Sequence, residues 1–517
     1  MATVAERELR VVNPASLEVV ATVPTTRPES VQEVVAEARL AQETWARTSR
    51  SERSELLAAV AELVLDHADA IADAVVAETA KPRVEAYSSD LFPAVDSLVW
   101  LASTAGGVLA PEPVRYSQPA LRHKRAWFVY EPLGVVGVVA PWNLPFAIPL
   151  TQAAAAVAAG NAVVLKPSEL TPLSGARIEQ LFVEAGAPPG LVRVVQGDAA
   201  VGEALVRARG IAKVLFTGSA EVGRRVAATA GASLVPVVLE LGGKDPMLVL
   251  DDADLERAVE GAVWGAYLNA GQICSGVERI YVQQPLYDEF TDALVRRTRD
   301  LRLGEDVGPL ISEERRAKVA ELVDDAVERG AHVLAGGCAP ERQGWFYEPT
   351  VLADVARDAL VEREEVFGPV VTIADVESDA AAIRAANDGP FGLSASVWTR
   401  DDDRARRIAE RLEVGSVWHN DVAYSYGAAQ ASWGGRKQSG FGRTHSKHGL
   451  YELSAVKLVD RDAGHVRVPW WYPYDERAAA AFAAVLPVLY RRGLRGKALA
   501  AWRHRRGLVD AARRYLR

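Results

Sequence analysis

The chain has 517 residues, 49% of them hydrophobic and 25% charged, with a net charge of −9 at neutral pH. That is the composition of an ordinary globular protein with room for more than one domain, and the acidic balance gives no reason to expect nucleic-acid binding. Two cysteines, Cys274 and Cys338, are too few for a disulfide framework and suit a reducing cytoplasm. MATVAERELR lacks the apolar stretch of a signal peptide, and no apolar run reaches the about 20 residues of a membrane span.

Apolar periodicity predicts helices over 31–45 and 52–78. From about residue 133 short apolar runs alternate with helical stretches. VVGVVA (135–140), AVVLK (162–166), LVRVV (191–195) and AKVLFT (212–217) read as buried strands, with helices over 146–159, 173–185 and 201–208 between them. Such alternation implies parallel βαβ units and a doubly wound sheet. After Pro246 a second series begins: MLVL, a helix over 255–268, RIYVQ, and later FYEPTVL, VVTI, SASVW and GSVWH. The fold expected is therefore α/β, with two doubly wound Rossmann-like domains joined near 240–275.

Beyond about residue 462 the composition changes. VPWWYPYDE (468–476) leads into an apolar helix over 478–490 and then a strongly basic segment, 491–517. Leu494, Ala498, Trp502, Leu508, Val509 and Leu516 approximate one apolar stripe among arginines. A helix packed on the body of the protein is one reading. A partly disordered tail, peripheral attachment to an anionic membrane surface and nucleic-acid binding by the basic segment are the others.

A lone cysteine is most often a small buried hydrophobe. Cys274 departs from that pattern, because NAGQICSGVER (269–279) is a glycine-bearing polar loop at the expected domain junction, where clefts form. A free thiol is only a few per cent thiolate at neutral pH, so a nucleophile there needs a base. ELGGKDP (240–246) supplies one: Glu240 ends an apolar strand, and burial would raise its pKa towards general-base range. APWNLPF (140–146) follows a strand and offers the Asn143 carboxamide as an oxyanion donor beside Trp142. LKPSE (165–169) places Lys166 and Glu169 at a strand's carboxyl end, where an acid can bind a nucleotide ribose. In FTGSAEVG (216–223), Gly218, Ser219 and Gly223 are expected to put free backbone N–H groups and a helix dipole where a pyrophosphate could rest, although the spacing is not that of G-x-G-x-x-G. Taken singly, each segment also reads as an ordinary turn or a solvated loop.

In order and spacing, PWN, KPSE, FTGS, ELGGK, GQICS, EEVFGPV (364–370) and SWGGRKQSGFGR (432–443) resemble the NAD(P)-dependent aldehyde dehydrogenase superfamily over about 11–460. The resemblance implies Cys274 as nucleophile, Glu240 as general base and Asn143 as oxyanion donor. It implies NAD as cofactor, no metal, and cofactor contacts from Trp142, Lys166, Glu169, Gly218, Ser219, Gly223, Glu365 and Phe367. It also implies a cofactor domain over 1–113 and 133–241, a catalytic domain over 242–437, and a homodimer or homotetramer. An arm over 114–132, paired with the strand at 453–462, would join the subunits, and 463–517 would be an added basic extension.

Two departures from the family pattern, and a group of aromatics, sharpen these expectations. Gln152 and Thr444 stand where many relatives hold a lysine and a glutamate. Thr151 and Asn269 stand where relatives acting on succinate semialdehyde often hold arginines, so an uncharged, hydrophobic aliphatic or apocarotenoid aldehyde is expected, with succinate semialdehyde as the alternative. Tyr424, Tyr426 and Trp433 are candidates for an apolar entrance. The presence of Glu240 argues against a CoA-acylating enzyme, and intact Cys274, Glu240 and Asn143 argue against a non-catalytic scaffold.

Overall fold

The computed structural model describes residues 8–118, 121–462, 468, 470–472, 474 and 476–515. The chain forms two compact units. One runs to Ala110 and resumes over Tyr130–Ala455; the other comprises Pro111–Val129 and the chain from Val456 onward.

Two large sheets organise the first unit. The six-stranded sheet has the order Gly440–Phe441, Val237–Glu240, Ile211–Thr217, Val135–Val139, Ala162–Lys166, Val192–Val194. Its neighbours are parallel except for Gly440–Phe441, which returns antiparallel to pair with Glu240 and Leu239. The strands Val135–Val139, Ala162–Lys166 and Val237–Glu240 are apolar almost throughout, because helices cover both faces of a parallel sheet. From Val135–Val139 the chain winds outward through Ala162–Lys166 to Val192–Val194, then crosses back to Ile211–Thr217 on the other side of Val135–Val139. That is a topological switch point, with a crevice at the carboxyl ends of the strands.

The seven-stranded sheet runs His332–Ala335, Thr350–Ala353, Val370–Val376, Val277–Gln283, Asp245–Val249, Ser394–Trp398, Ser416–His419, parallel except for the first pair. The α/β expectation is met, with differences in detail. The helix expected over 52–78 is two helices, Arg50–Asp66 and Ala68–Thr79, broken at His67, whose ψ of 14° leaves the helical range. Of FYEPTVL, only its end joins the strand Thr350–Ala353.

A continuous helical run, Arg83–Val108, has the length and composition to cross a bilayer, contrary to the reading from apolar runs alone. It is a core element here: its portion Phe92–Val108 packs on the helices Arg50–Asp66 and Ala147–Ala158, with Ala94 and Leu98 fully buried.

A three-stranded sheet, most of it in the second unit, has the order Ser454–Arg461, Arg125–Pro132, Glu112–Val114. Asp460 accepts hydrogen bonds from the Tyr116 hydroxyl (2.6 Å) and Lys124 Nζ (3.3 Å). The C-terminal segment forms three helices, Glu476–Tyr490, Leu494–Arg503 and Arg505–Tyr515. The stripe expected as one surface is thus divided between two helices at His504, and Leu516 lies outside the described residues.

Candidate active site

Cys274 follows a backbone segment in which Asn269, Ala270 and Gly271 all have left-handed φ values of 54°, 55° and 71°. Such a run costs free energy in non-glycine residues, so surrounding contacts must hold it. They are on hand. Asn269 N–H donates to Glu85 (3.0 Å), and Asn269 Nδ2 donates to the carbonyls of Asn143 (3.0 Å) and Gln272 (3.2 Å). The Gln272 side chain donates to the Asn269 carbonyl and accepts from Ile311 N–H, both at 2.9 Å. Gly271 cannot be replaced without collision, since a Cβ there would lie 2.0 Å from the Gly368 carbonyl oxygen. Asn269, noted in the sequence as a missing cation, is therefore a buried scaffold for the cysteine loop.

Asn143 is held from the other side. Lys81 Nζ donates to its carbonyl (2.7 Å) and pairs with Asp90 (3.1 Å), whose second oxygen accepts the N–H groups of Phe146 and Ala147. The Asn143 carboxamide donates to the Gln272 carbonyl at 3.0 Å. An amide nitrogen carries two hydrogens, so one donor remains for the cavity it lines.

That cavity brings together Asn143, Glu240, Cys274, Glu365 and Phe367. Its wall also includes Ile148, Leu241, Tyr426 and Trp433. Cys274 is partly exposed into it. Burial, reinforced by the carboxyl groups of Glu365, Asp245 and Glu240, pushes the thiol pKa well up, so the resting group is a thiol. Glu240 is buried, and burial raises its pKa to about 8 against the opposing pull of Arg443 and a Thr444 hydrogen bond. One Glu240 oxygen accepts from the Thr444 hydroxyl (3.4 Å), while Oε2 is buried with no protein partner. A buried base near neutral range with an open lone pair, beside a thiol, can take a proton from the thiol or from a water.

Gln152 and Thr444 occupy different parts of this surround. Gln152 Nε2 donates to Thr217 Oγ1 at 2.9 Å, while Thr444 reaches Glu240 and approaches His445 Nδ1 at 3.2 Å. Burial lowers the His445 pKa to about 4, so this imidazole is neutral near pH 7.

Glu365 and Phe367 form the facing wall. Glu365 accepts from Gly243 N–H (3.0 Å) and lies so close to Gly242 that any side chain there would strike it. Burial raises its pKa to about 8. Phe367 meets Trp142 edge to face at 5.5 Å. Arg315, which the sequence reading missed, lies over the Phe367 ring at 5.8 Å and donates to the Val366 carbonyl at 2.7 Å. It lies on the helix Glu313–Glu328, far in sequence from every recognised motif, and carried no local signal.

A second, more open cavity shares Pro141, Trp142, Thr217, Gly218 and Ser219 with the first, and extends to Lys166 and Glu169. Lys166 pairs with Glu169 at 3.1 Å, the carboxylate being the more exposed partner. The helix Ala220–Gly231 starts at this surface, capped by Ser219, whose hydroxyl accepts from Val222 N–H. Two sequence expectations need correction here. The Gly218 N–H is taken by the Glu240 carbonyl (3.0 Å) and the Gly223 N–H by the Ser219 carbonyl (2.9 Å), so neither amide is free for a phosphate. Each glycine instead clears space, Gly218 for the Phe216 ring and Gly223 for the Leu241 side chain. What remains for an anion is the helix N-terminus itself.

Tyr426 and Trp433 meet edge to face at 5.9 Å, and the Tyr426 hydroxyl lies 3.4 Å from Thr151 Oγ1. The Tyr424 side chain lies outside what the structure describes.

Known proteins resemble this chain over most of its length. The model of the aldehyde dehydrogenase family matches residues 2–459. A betaine aldehyde dehydrogenase of Rhizobium leguminosarum bv. trifolii is 39% identical over 466 residues, covering 88% of this chain and 94% of the relative. A crystal structure of betaine aldehyde dehydrogenase from Staphylococcus aureus in complex with NAD+ is similar at a TM-score of 0.85 and 35% identity, covering 90% of this chain and 94% of that one. A structure described as an E. coli NADP dependent enzyme is similar at a TM-score of 0.84 and 36% identity, covering 88% and 95%. The chain belongs to the aldehyde dehydrogenase family.

Proposed function

We propose that this protein oxidises an uncharged, apolar aldehyde to its carboxylic acid with NAD, through a covalent intermediate on Cys274. The observation that carries the reading is the convergence of Cys274, Asn143 and Glu240 in one cavity that adjoins a groove running from Trp142 and Ser219 to Lys166 and Glu169.

The groove fits the cofactor in its chemistry. Lys166 and Glu169 would hold the adenosine ribose, the helix opening at Ala220 with Ser219 and Trp142 the pyrophosphate, and Glu365 and Phe367 the nicotinamide riboside. When bound, NAD supplies the acceptor for the hydride that leaves the substrate carbon. The Cys274 proton leaves to solvent, with Glu240 assisting but not required, as sulfur attacks the aldehyde carbonyl, giving a thiohemiacetal. The Asn143 carboxamide and the Cys274 N–H donate to the oxyanion. After oxidation to the thioester, Glu240 activates the water that releases the acid. The seven-stranded half presents the cysteine and the six-stranded half the cofactor groove. The edge strand Ser454–Arg461, with Val456 and Leu458 exposed, serves as a homo-oligomer contact.

Ile148, Leu241, Tyr426 and Trp433 favour an apolar substrate. Arg315 is the only lysine or arginine among the described lining residues, and it is engaged beside Phe367. A distal carboxylate would therefore be buried without a partner. A second reading, a quaternary-ammonium aldehyde, is favoured by the Tyr426–Trp433 pair, whose faces could hold a cation, and by the names of the relatives. Competition assays with NAD separate them. The proposal expects a medium-chain alkanal to exceed betaine aldehyde and succinate semialdehyde in kcat/KM by about tenfold or more, roughly the value of a few buried methylenes. Preference for either charged aldehyde would overturn it.

A further inference from the structure

The three C-terminal helices lie beyond residue 459, where the family match ends. Their packing is asymmetric. On the helix Glu476–Tyr490, Ala478, Ala481 and Ala484 are buried. The helix Arg505–Tyr515 closes against this surface at Gly507, where a Cβ would stand 2.6 Å from Ala484 Cβ and 2.8 Å from the Ala480 carbonyl oxygen. A small-residue contact of this kind brings two backbones together and leaves the opposite face of the first helix unused.

That opposite face is apolar. Phe482, Leu486 and Tyr490 follow one another at four-residue spacing and are 41%, 57% and 61% exposed. Leu494 and Trp502, 87% and 66% exposed, add apolar surface on the next helix, Arg505 lying over the Trp502 ring at 5.6 Å. Basic side chains accompany them. Residues 491–517 carry ten arginines and lysines against one aspartate, in a chain whose net charge is −9. Arg491, Arg492, Arg495, Arg503, Arg505 and Arg506 are all exposed, and none forms an ion pair among the described residues.

We propose that this segment docks the protein on an anionic lipid surface, the apolar face entering the headgroup boundary and the arginines meeting lipid phosphates. The two features together select this partner. A nucleic acid would satisfy the arginines and leave Phe482, Leu486 and Tyr490 in water, and a neutral apolar groove would do the reverse. An anionic bilayer interface satisfies both. The proposal does not depend on which aldehyde is oxidised.

Vesicle co-sedimentation of the full chain tests it. The probes are phosphatidylcholine vesicles and vesicles in which a third of the lipid is phosphatidylglycerol. The expected result is at least about tenfold stronger binding to the anionic vesicles, weakened by salt. Binding should be lost both in an Arg491→Glu, Arg492→Glu, Arg495→Glu variant and in Leu486→Asp, with turnover of a water-soluble aldehyde unchanged as the check on folding. Failure to bind, equal binding to both vesicles, or wild-type binding by either variant would overturn the proposal. So would tail-dependent self-association without vesicle binding, or preferential capture of single-stranded RNA that Leu486→Asp leaves intact.

Discussion

The cysteine loop and the C-terminal helices use polar and apolar groups in opposite ways. Around Cys274 the polar groups are buried and paired with one another: Asn269, Gln272, Asn143, Lys81 and Asp90 fix a strained backbone and leave few groups unused. In the tail, exposed arginines such as Arg491, Arg492 and Arg495 form no ion pair among the described residues, and aromatic side chains face outward. The first region is organised to hold a few atoms still, as chemistry requires. The second presents area and charge, as association with a surface requires. One lies inside the family match and the other beyond it.

The largest effect that separates the two regions belongs to Glu240. Glu240→Gln should lower kcat by about 10²–10⁴, the range for a lost general base, and leave vesicle binding as it was. The pH dependence follows from its position. Burial raises the Glu240 pKa to about 8, so the basic form, and with it thioester hydrolysis, increases as pH rises through that region and is scarce below it. A steady-state pH–rate profile should show a rising limb near pH 8 that Glu240→Gln removes. A limb unchanged in the variant would assign it to another group.

A smaller effect is expected at the cofactor groove. Glu169 is half exposed and paired with Lys166, and its carboxylate would repel a 2′-phosphate. Glu169→Ser should shift the NADP-to-NAD ratio of kcat/KM towards NADP by about tenfold, worth roughly 1.4 kcal/mol. Initial rates with each cofactor check this, and an unchanged ratio would remove Glu169 from the specificity argument.

Much of this was legible in the sequence because its signals are local. Strand–helix alternation from residue 133 marks parallel units, and each motif at a strand's end stands at the crevice the topology creates. Position in the sequence did not reveal contacts made across it. The amides of Gly218 and Gly223 are spent inside the fold, on the Glu240 carbonyl and within the helix, so glycines that looked like anion ligands make room for Phe216 and Leu241. Arg315 reaches the cavity from a helix with no motif. The break at His67 and the burial of the apolar run Arg83–Val108 depend on packing, which periodicity alone does not report. In the tail, the exposed face emerged only once the alanine face of Glu476–Tyr490 was seen to be occupied.

The most direct test of the central claim is to trap the acyl intermediate. Glu240→Gln, mixed with NAD and an aldehyde and quenched in acid, should carry one acyl group by intact mass, and peptide mapping should place it on Cys274. Cys338, free and exposed, is the internal control. An adduct on Cys274 that is absent in a Glu240→Gln, Cys274→Ala double variant is the predicted result. Turnover without any acyl-enzyme, or an adduct on Cys338 alone, would contradict the account.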